Sequence, residues 1–215
     1  MSTFIARAFT GQHGAHGNQV VVVLADDELP GPQERQKIAA GAPAPATVFV
    51  APDRRQVRIH NRMLERPFAG HPLLGTAAVL RNIGKPVDRL ATPAGEVSLW
   101  RDDEGAEWLH APSHWSPNTY HRRVSSPAEV EALLEPPPDE PVQVWAWIDE
   151  AAGLVRARRF APSEGKPEDE ACGSACMVLS TLPARPLTVV HGRGSVIRVR
   201  PRDTGVDLGG ARVID

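Results

Sequence analysis

Two segments of this chain have the composition of helices with no face to give to water. The first, Ala69 to Gly84, reads Ala-Gly-His-Pro-Leu-Leu-Gly-Thr-Ala-Ala-Val-Leu-Arg-Asn-Ile-Gly, and the second, from Gly173, reads Gly-Ser-Ala-Cys-Met-Val-Leu-Ser. A surface helix carries one apolar stripe and one polar one, so a helix that is small or apolar on nearly every side has to be enclosed. Short β-rich runs dominate the rest of the sequence, which makes sheet the enclosing material.

Both segments are well punctuated. Pro72 reads as the first helical residue with His71 as its N-cap; Gly84 stands past the end with Pro86 behind it, and the second helix stops before Pro183. Their approaches are alike. Val57-Arg58-Ile59 leads through Glu65 to Ala69-Gly70, and Val155-Arg156-Ala157-Arg158 leads through Glu168-Asp169 to Cys172-Gly173. This weak repeat predicts an α+β fold of two similar lobes, each a mixed sheet or half-barrel wrapped round a central buried helix. The expected division is 1–115 and 116–215, with a boundary near His114 to Arg122, and the last strands are free to return to the first lobe.

Early strands are expected at Ile5 to Phe9, Gln19 to Ala25, Thr47 to Ala51 and Gln56 to His60. Later ones are expected at Val97 to Arg101, Glu107 to Ala111, Val142 to Ile148, Leu154 to Phe160 and Ser195 to Arg200. Two peripheral helices complete the reading. One is Pro32 to Ala40, stopped by Gly41; the other has Ser126, Pro127 and Glu129 as cap, first residue and capping-box acid, and ends before Pro136.

A chain of 215 residues that is 41% hydrophobic can bury one large core or two small ones. Its formal net charge of -2 comes from interspersed Arg, Asp and Glu, so it presents no positive field for nucleic acid or an anionic membrane. The expected partner is a small molecule. No apolar run approaches the roughly 18 residues of a membrane span and no signal segment is visible at Met1, from which a cytoplasmic location is expected. Cys172 and Cys176 are too few for a structural zinc site and poorly spaced for a disulfide.

A buried helix that begins at a Gly-containing loop offers unpaired N–H groups and the positive end of its dipole to an anion such as a carboxylate. Two such ends facing each other would clamp one. His71 stands at the first and Asp169 near the second, with Cys172 and Ser174 adjacent, the kind of pair that general acid–base chemistry needs. Each also has a plain structural reading: His71 and Ser174 as caps, Asp169 as a solvated loop acid, the cysteines as small buried apolar groups. His13 and His16 lack a third metal ligand, and His191-Gly-Arg-Gly-Ser lacks the strand and helix of a dinucleotide loop.

The sequence resembles the PhzF-like phenazine-biosynthesis family, whose fold is that of diaminopimelate epimerase. The residues that carry the resemblance are Ala8-Phe-Thr, Gly17-Asn-Gln-Val-Val-Val-Val-Leu, Glu65-Arg-Pro-Phe-Ala-Gly-His-Pro-Leu-Leu-Gly-Thr-Ala, Arg159-Phe-Ala-Pro, Glu168-Asp-Glu-Ala-Cys-Gly-Ser-Ala and, weakly, Gly192-Arg-Gly-Ser. The resemblance implies an isomerase that works without metal or organic cofactor in an inter-lobe cleft, in specialised biosynthesis, often as a homodimer. It implies catalytic roles for His71 and Asp169 and substrate binding by Gly70, Gly173 and Ser174.

Two departures stand out. The family's catalytic glutamate position falls on Ala46, within Ala44-Pro-Ala-Thr-Val-Phe, and Ala69 occupies the place of the first cysteine of the two-thiol racemases. Cys172, at a helix start where a thiol pKa can be lowered, remains a third catalytic candidate. The reading is therefore an isomerase or cyclase acting on a small carboxylate-bearing metabolite. The alternative is a relative that keeps the cleft as a binding protein and has lost the proton chemistry.

Overall fold

The computed structural model describes residues 1–25, 28–51, 55–138 and 141–214. In chain order the elements are β1 (Ser2–Thr10), β2 (Asn18–Leu24), α1 (Pro32–Gly41), β3 (Ala46–Ala51), β4 (Gln56–His60), β5 (Glu65–Arg66), α2 (Gly70–Asn82), β6 (Arg89–Thr92), β7 (Gly95–Arg101) and β8 (Glu107–Ala111). They continue with β9 (Tyr120–Arg123), α3 (Pro127–Glu131), β10 (Val142–Asp149), β11 (Leu154–Ala161), β12 (Lys166–Asp169), α4 (Gly173–Thr181), β13 (Leu187–His191), β14 (Ser195–Arg202) and β15 (Gly205–Ile214).

The repeat that the sequence hints at extends over almost every element. From β2 to β8 the chain runs strand, helix, strand, strand, short strand, helix, three strands, and from β9 to β15 it runs through the same series. The pairings match too. β2 lies parallel to β3 as β9 does to β10, β4 parallel to β6 as β11 does to β13, and β3–β4 and β10–β11 are antiparallel. The short strands β5 and β12 fold back on β4 and β11 just before each central helix. In the first half, strands β1-β2-β3-β4-β6-β7-β8-β15 form a closed ring, because β15 pairs with both β8 and β1. The C-terminal strand therefore completes the wall around α2.

The central helices form where the sequence places them and for the expected reason. All residues of α2 from Gly70 to Leu80 are buried, and Thr76 meets its own hydroxyl's need by donating to the Pro72 carbonyl at 2.8 Å. Leu73, Leu74, Val79 and Leu80 each contribute about 1.5–3 kcal/mol by leaving water. The helix ends in a left-handed Gly84 (φ 75°), with Lys85 N donating to Leu80 O at 2.9 Å and Gly84 N to Arg81 O at 3.2 Å, the paired bonds of a Schellman stop. Gly75 packs so closely on β2 that a Cβ there would stand 2.4 Å from Val20 Cγ1.

Three local readings are corrected. Helix α2 starts two residues early, at Gly70, with Ala69 as N-cap; His71 is therefore its second residue rather than its cap, and Pro72 its third. Helix α1 runs through Gly41 instead of stopping before it. Helix α3 is a single turn ending at Glu131, although Ser126 caps it as expected by accepting from Glu129 N at 3.3 Å. No helix is long and apolar enough to cross a membrane among the described residues.

Candidate active site

The two central helices point their N-termini at one cleft. It is lined by Gly70 and His71 from α2 and by Cys172, Gly173 and Ser174 from the start of α4, together with Asp169, Arg159, Ala46, His60, Asn61 and Arg66. All six residues singled out from the sequence thus meet in one place. The free interior of the cleft is about 60 Å³.

Asp169 is held there by specific bonds. The Glu168-Asp169-Glu170 run is divided three ways: Glu168 turns outward to Arg158 (2.8 and 2.7 Å), and Glu170 accepts from Ser195 Oγ (2.8 Å) and from Arg193 N (3.1 Å). Asp169 turns inward and is only 6% exposed. Its Oδ1 accepts from Asn18 Nδ2 at 2.7 Å and from Ala171 N at 3.3 Å, and its Oδ2 lies 3.9 Å from Arg159 Nη1. A carboxylate fixed and buried in this way is not the solvated loop acid of the plain structural reading.

Arg159 and Asn18 are functional candidates that the sequence reading did not single out. Arg159 is 1% exposed, lines the cleft, and donates from Nε to Thr119 Oγ1 at 3.3 Å. Its signal was a third arginine in Arg156-Ala-Arg-Arg, placed on the strand face that looks into the core. Asn18 ties the halves together, since its Nδ2 also donates to Ala171 O at 2.9 Å across 153 residues of sequence. An asparagine opening an otherwise valine-rich strand was the available signal.

The other titratable groups of the wall are less free. Burial pushes the Cys172 thiol above its usual range, with only partial opposition from Arg159, so it is a protonated thiol in contact with Ser174 Oγ (3.5 Å) and not the lowered-pKa group that a helix N-terminus suggests. His60 is lowered by burial first, against the pull of Glu65. Its Nδ1 lies 2.9 Å from Gln36 Oε1, and Arg35 Nε donates to its Nε2 at 3.2 Å, which fixes a neutral imidazole with its proton on Nδ1. Asp169 and His71 line the same cleft from the two central helix starts.

Gly70 and Gly173 have a packing reason besides any contact with substrate. A Cβ on Gly70 would meet Leu208 Cδ2 at 2.3 Å, and one on Gly173 would meet Phe9 Cζ at 2.9 Å and Leu208 Cδ2 at 3.0 Å. Their absence of side chains lets the two helix ends approach over Leu208 and Phe9. Among the described residues no three His, Cys, Asp or Glu side chains converge as a metal site requires.

A fold of two repeated lobes whose central helix ends frame one cleft is shared with known epimerases, and the comparisons with known proteins agree. The phenazine biosynthesis-like protein family (PhzC-PhzF) matches residues 6–144, and the chain belongs to that family. It is similar to the trans-2,3-dihydro-3-hydroxyanthranilate isomerase of Pseudomonas aeruginosa, at 28% identity over 82% of this chain and 78% of that protein. It is also similar to an uncharacterized isomerase of Deinococcus radiodurans, at 31% identity over 78% and 71%. Among solved structures, a PhzC/PhzF protein from Clostridium difficile superposes with a TM-score of 0.80 over 99% of this chain and 96% of that one, at 20% identity. A hydroxyproline epimerase from Agrobacterium vitis shares the fold at a TM-score of 0.61 over 99% and 91%, at 14% identity. The chain is an isomerase of the PhzF type.

Proposed function

We propose that this protein isomerises a small carboxylate-bearing metabolite by moving a proton between Asp169 and His71, in specialised biosynthesis and without a cofactor. The observation that carries the reading is the convergence of Asp169, His71, two helix N-termini and Arg159 on one cleft. The helix ends and Arg159 hold the substrate carboxylate. Ser174 and the backbone of Gly70 and Gly173 bind its remaining polar groups, and Asp169, aligned by Asn18, takes or gives the proton. Cys172, kept protonated by burial, can serve only as a donor. In this proposal the enzyme works in the cytoplasm as a homodimer.

The substrate of the Pseudomonas aeruginosa relative, trans-2,3-dihydro-3-hydroxyanthranilate, is the first compound to try. Ala46 lines the cleft where the resemblance expects a glutamate, and Asp169 is the one carboxylate among the described lining residues. The proton path therefore differs from the glutamate-based one that the resemblance implies, and a ring-related carboxylate is an equally good substrate class. Turnover of such compounds by the wild type, Asp169→Asn and His71→Ala tests the assignment. Each variant is expected to lose about two to four orders of magnitude, and unchanged turnover in both would remove Asp169 and His71 from the proton path. Ala46 also favours a second reading, a binding protein that keeps the cleft; it requires tight ligand binding with no turnover by the wild type.

A further inference from the structure

Strand register places four polar residues in one row across the second half: His121 of β9 is paired with Gln143 of β10, Gln143 with Arg159 of β11, and Arg159 with Asp169 of β12. The row faces the central helix, since Gln143 Nε2 lies 3.9 Å from Cys176 Sγ on α4. Two of its members, Arg159 and Asp169, line the cleft.

The fold does not require polar residues there. By the repeat, Asp169 and Arg66 each stand four residues before a central helix, and the row through Arg66 runs Ile59, Val48, Val22. Those three are core residues, each 0–1% exposed. Where the first half packs Val22 and Val48, the second half places His121 and Gln143.

These two side chains also have unmet bonding capacity. Gln143 is fully buried, and neither its Oε1 nor either ring nitrogen of His121 has a hydrogen-bond partner among the described residues. Burial, reinforced by Arg159, lowers the His121 pKa to about 4, so the ring is neutral with one donor and one acceptor nitrogen. Orphaned buried polar groups are costly, and natural cores keep few of them without a use.

We infer that His121 and Gln143, next to Arg159 in this row, form a polar subsite behind the cleft wall, which receives an amino or hydroxyl substituent of the carboxylate ligand and selects for it. Gln143 Oε1 accepts the ligand's N–H or O–H, and the imidazole supplies a second bond. The inference rests on the reading of the cleft as a carboxylate site.

Calorimetric binding of benzoate and of its 2-, 3- and 4-amino and hydroxy derivatives separates the two. The wild type is expected to bind at least one derivative roughly tenfold or more tightly than benzoate, the worth of one well-made buried hydrogen bond. Gln143→Leu and His121→Val, which copy the apolar character of the first half, are expected to shrink that preference to about twofold while leaving benzoate affinity in place. If Gln143→Leu does not fold, His121→Val carries the comparison. A preference that persists in the folded variants, or a wild type that binds benzoate with no preference, overturns the subsite. Failure of the wild type to bind benzoate at all counts instead against the carboxylate reading of the cleft.

Discussion

Asn18 is the residue through which the first half of the molecule controls the acid of the second, and replacing it with alanine tests that link. In Asn18→Ala the Asp169 carboxylate loses a 2.7 Å donor and the Ala171 carbonyl loses a 2.9 Å one, both inside the protein. A bond to a charged group contributes about 1.5–3 kcal/mol, and an orphaned buried acceptor costs about 1–3 kcal/mol. Ala171 N and Arg159 still face the carboxylate, so the lower part of the combined range applies, about 3 kcal/mol. For a chain of this size each kcal/mol shifts the melting temperature by roughly 2–4 °C, giving an expected drop of about 6–12 °C. Thermal unfolding followed by circular dichroism measures it. Asn18→Asp keeps the shape and sets a second carboxylate against the first. It is expected to be worse than Asn18→Ala at pH 8 and to recover toward it at pH 5, as one of the pair takes a proton. Melting of Asn18→Ala within about 2 °C of the wild type, by the same conversion under about 1 kcal/mol, would show that the cross-half bond does not hold Asp169.

Acid stability is expected to report on His121. Its folded pKa of about 4 lies below the unfolded 6.5, so between these values the unfolded chain binds a proton that the folded chain refuses. Stability is full above about pH 6.5 and falls toward pH 4, by roughly 2 kcal/mol once partial exposure is allowed for. Urea titrations at pH 7 and 4.5 should show that extra loss in the wild type and not in His121→Val. Gly173→Ala, whose Cβ would stand 2.9 Å from Phe9 Cζ, should destabilise by about 1–3 kcal/mol through overpacking, and an unchanged melting temperature would mean that the helix ends can separate freely. Ala46→Glu restores a carboxylate to a wall position only 6% exposed. Turnover of trans-2,3-dihydro-3-hydroxyanthranilate should rise at least about tenfold if a proton carrier there is what the chain lacks, and no change would argue that Asp169 and His71 suffice.

How much of the fold and the site is legible in the sequence follows from how local each feature is. The central helices can be read because nearly all of Gly70 to Leu80, and most of Gly173 to Ser180, is apolar or small, which leaves burial as the only solution. His71 and Asp169 can be paired because each stands at the start of one of the two look-alike buried helices, about a hundred residues apart, and the family resemblance joins the same two segments. The start of α2 is ambiguous because Pro72 is equally compatible with the first or the third helical position, where a missing N–H costs nothing. Strands β5 and β12 are too short to show periodicity. The return of β15 to the first half depends on pairings with β1 across the whole chain, which no local pattern encodes. The bond from Asn18 to Asp169 and the row from His121 to Asp169 are of the same kind, visible only once strand register is known.

The measurement that bears most directly on the proton-transfer claim is solvent deuterium incorporation, read by mass spectrometry, when trans-2,3-dihydro-3-hydroxyanthranilate and ring-related carboxylates are incubated in D₂O with the wild type and with Asp169→Asn. The wild type is expected to place deuterium on the carbon skeleton of its substrate, and the variant to do so at least about a hundredfold more slowly. Equal incorporation by both proteins, or tight binding by the wild type with no incorporation, would contradict a cleft that moves protons through Asp169.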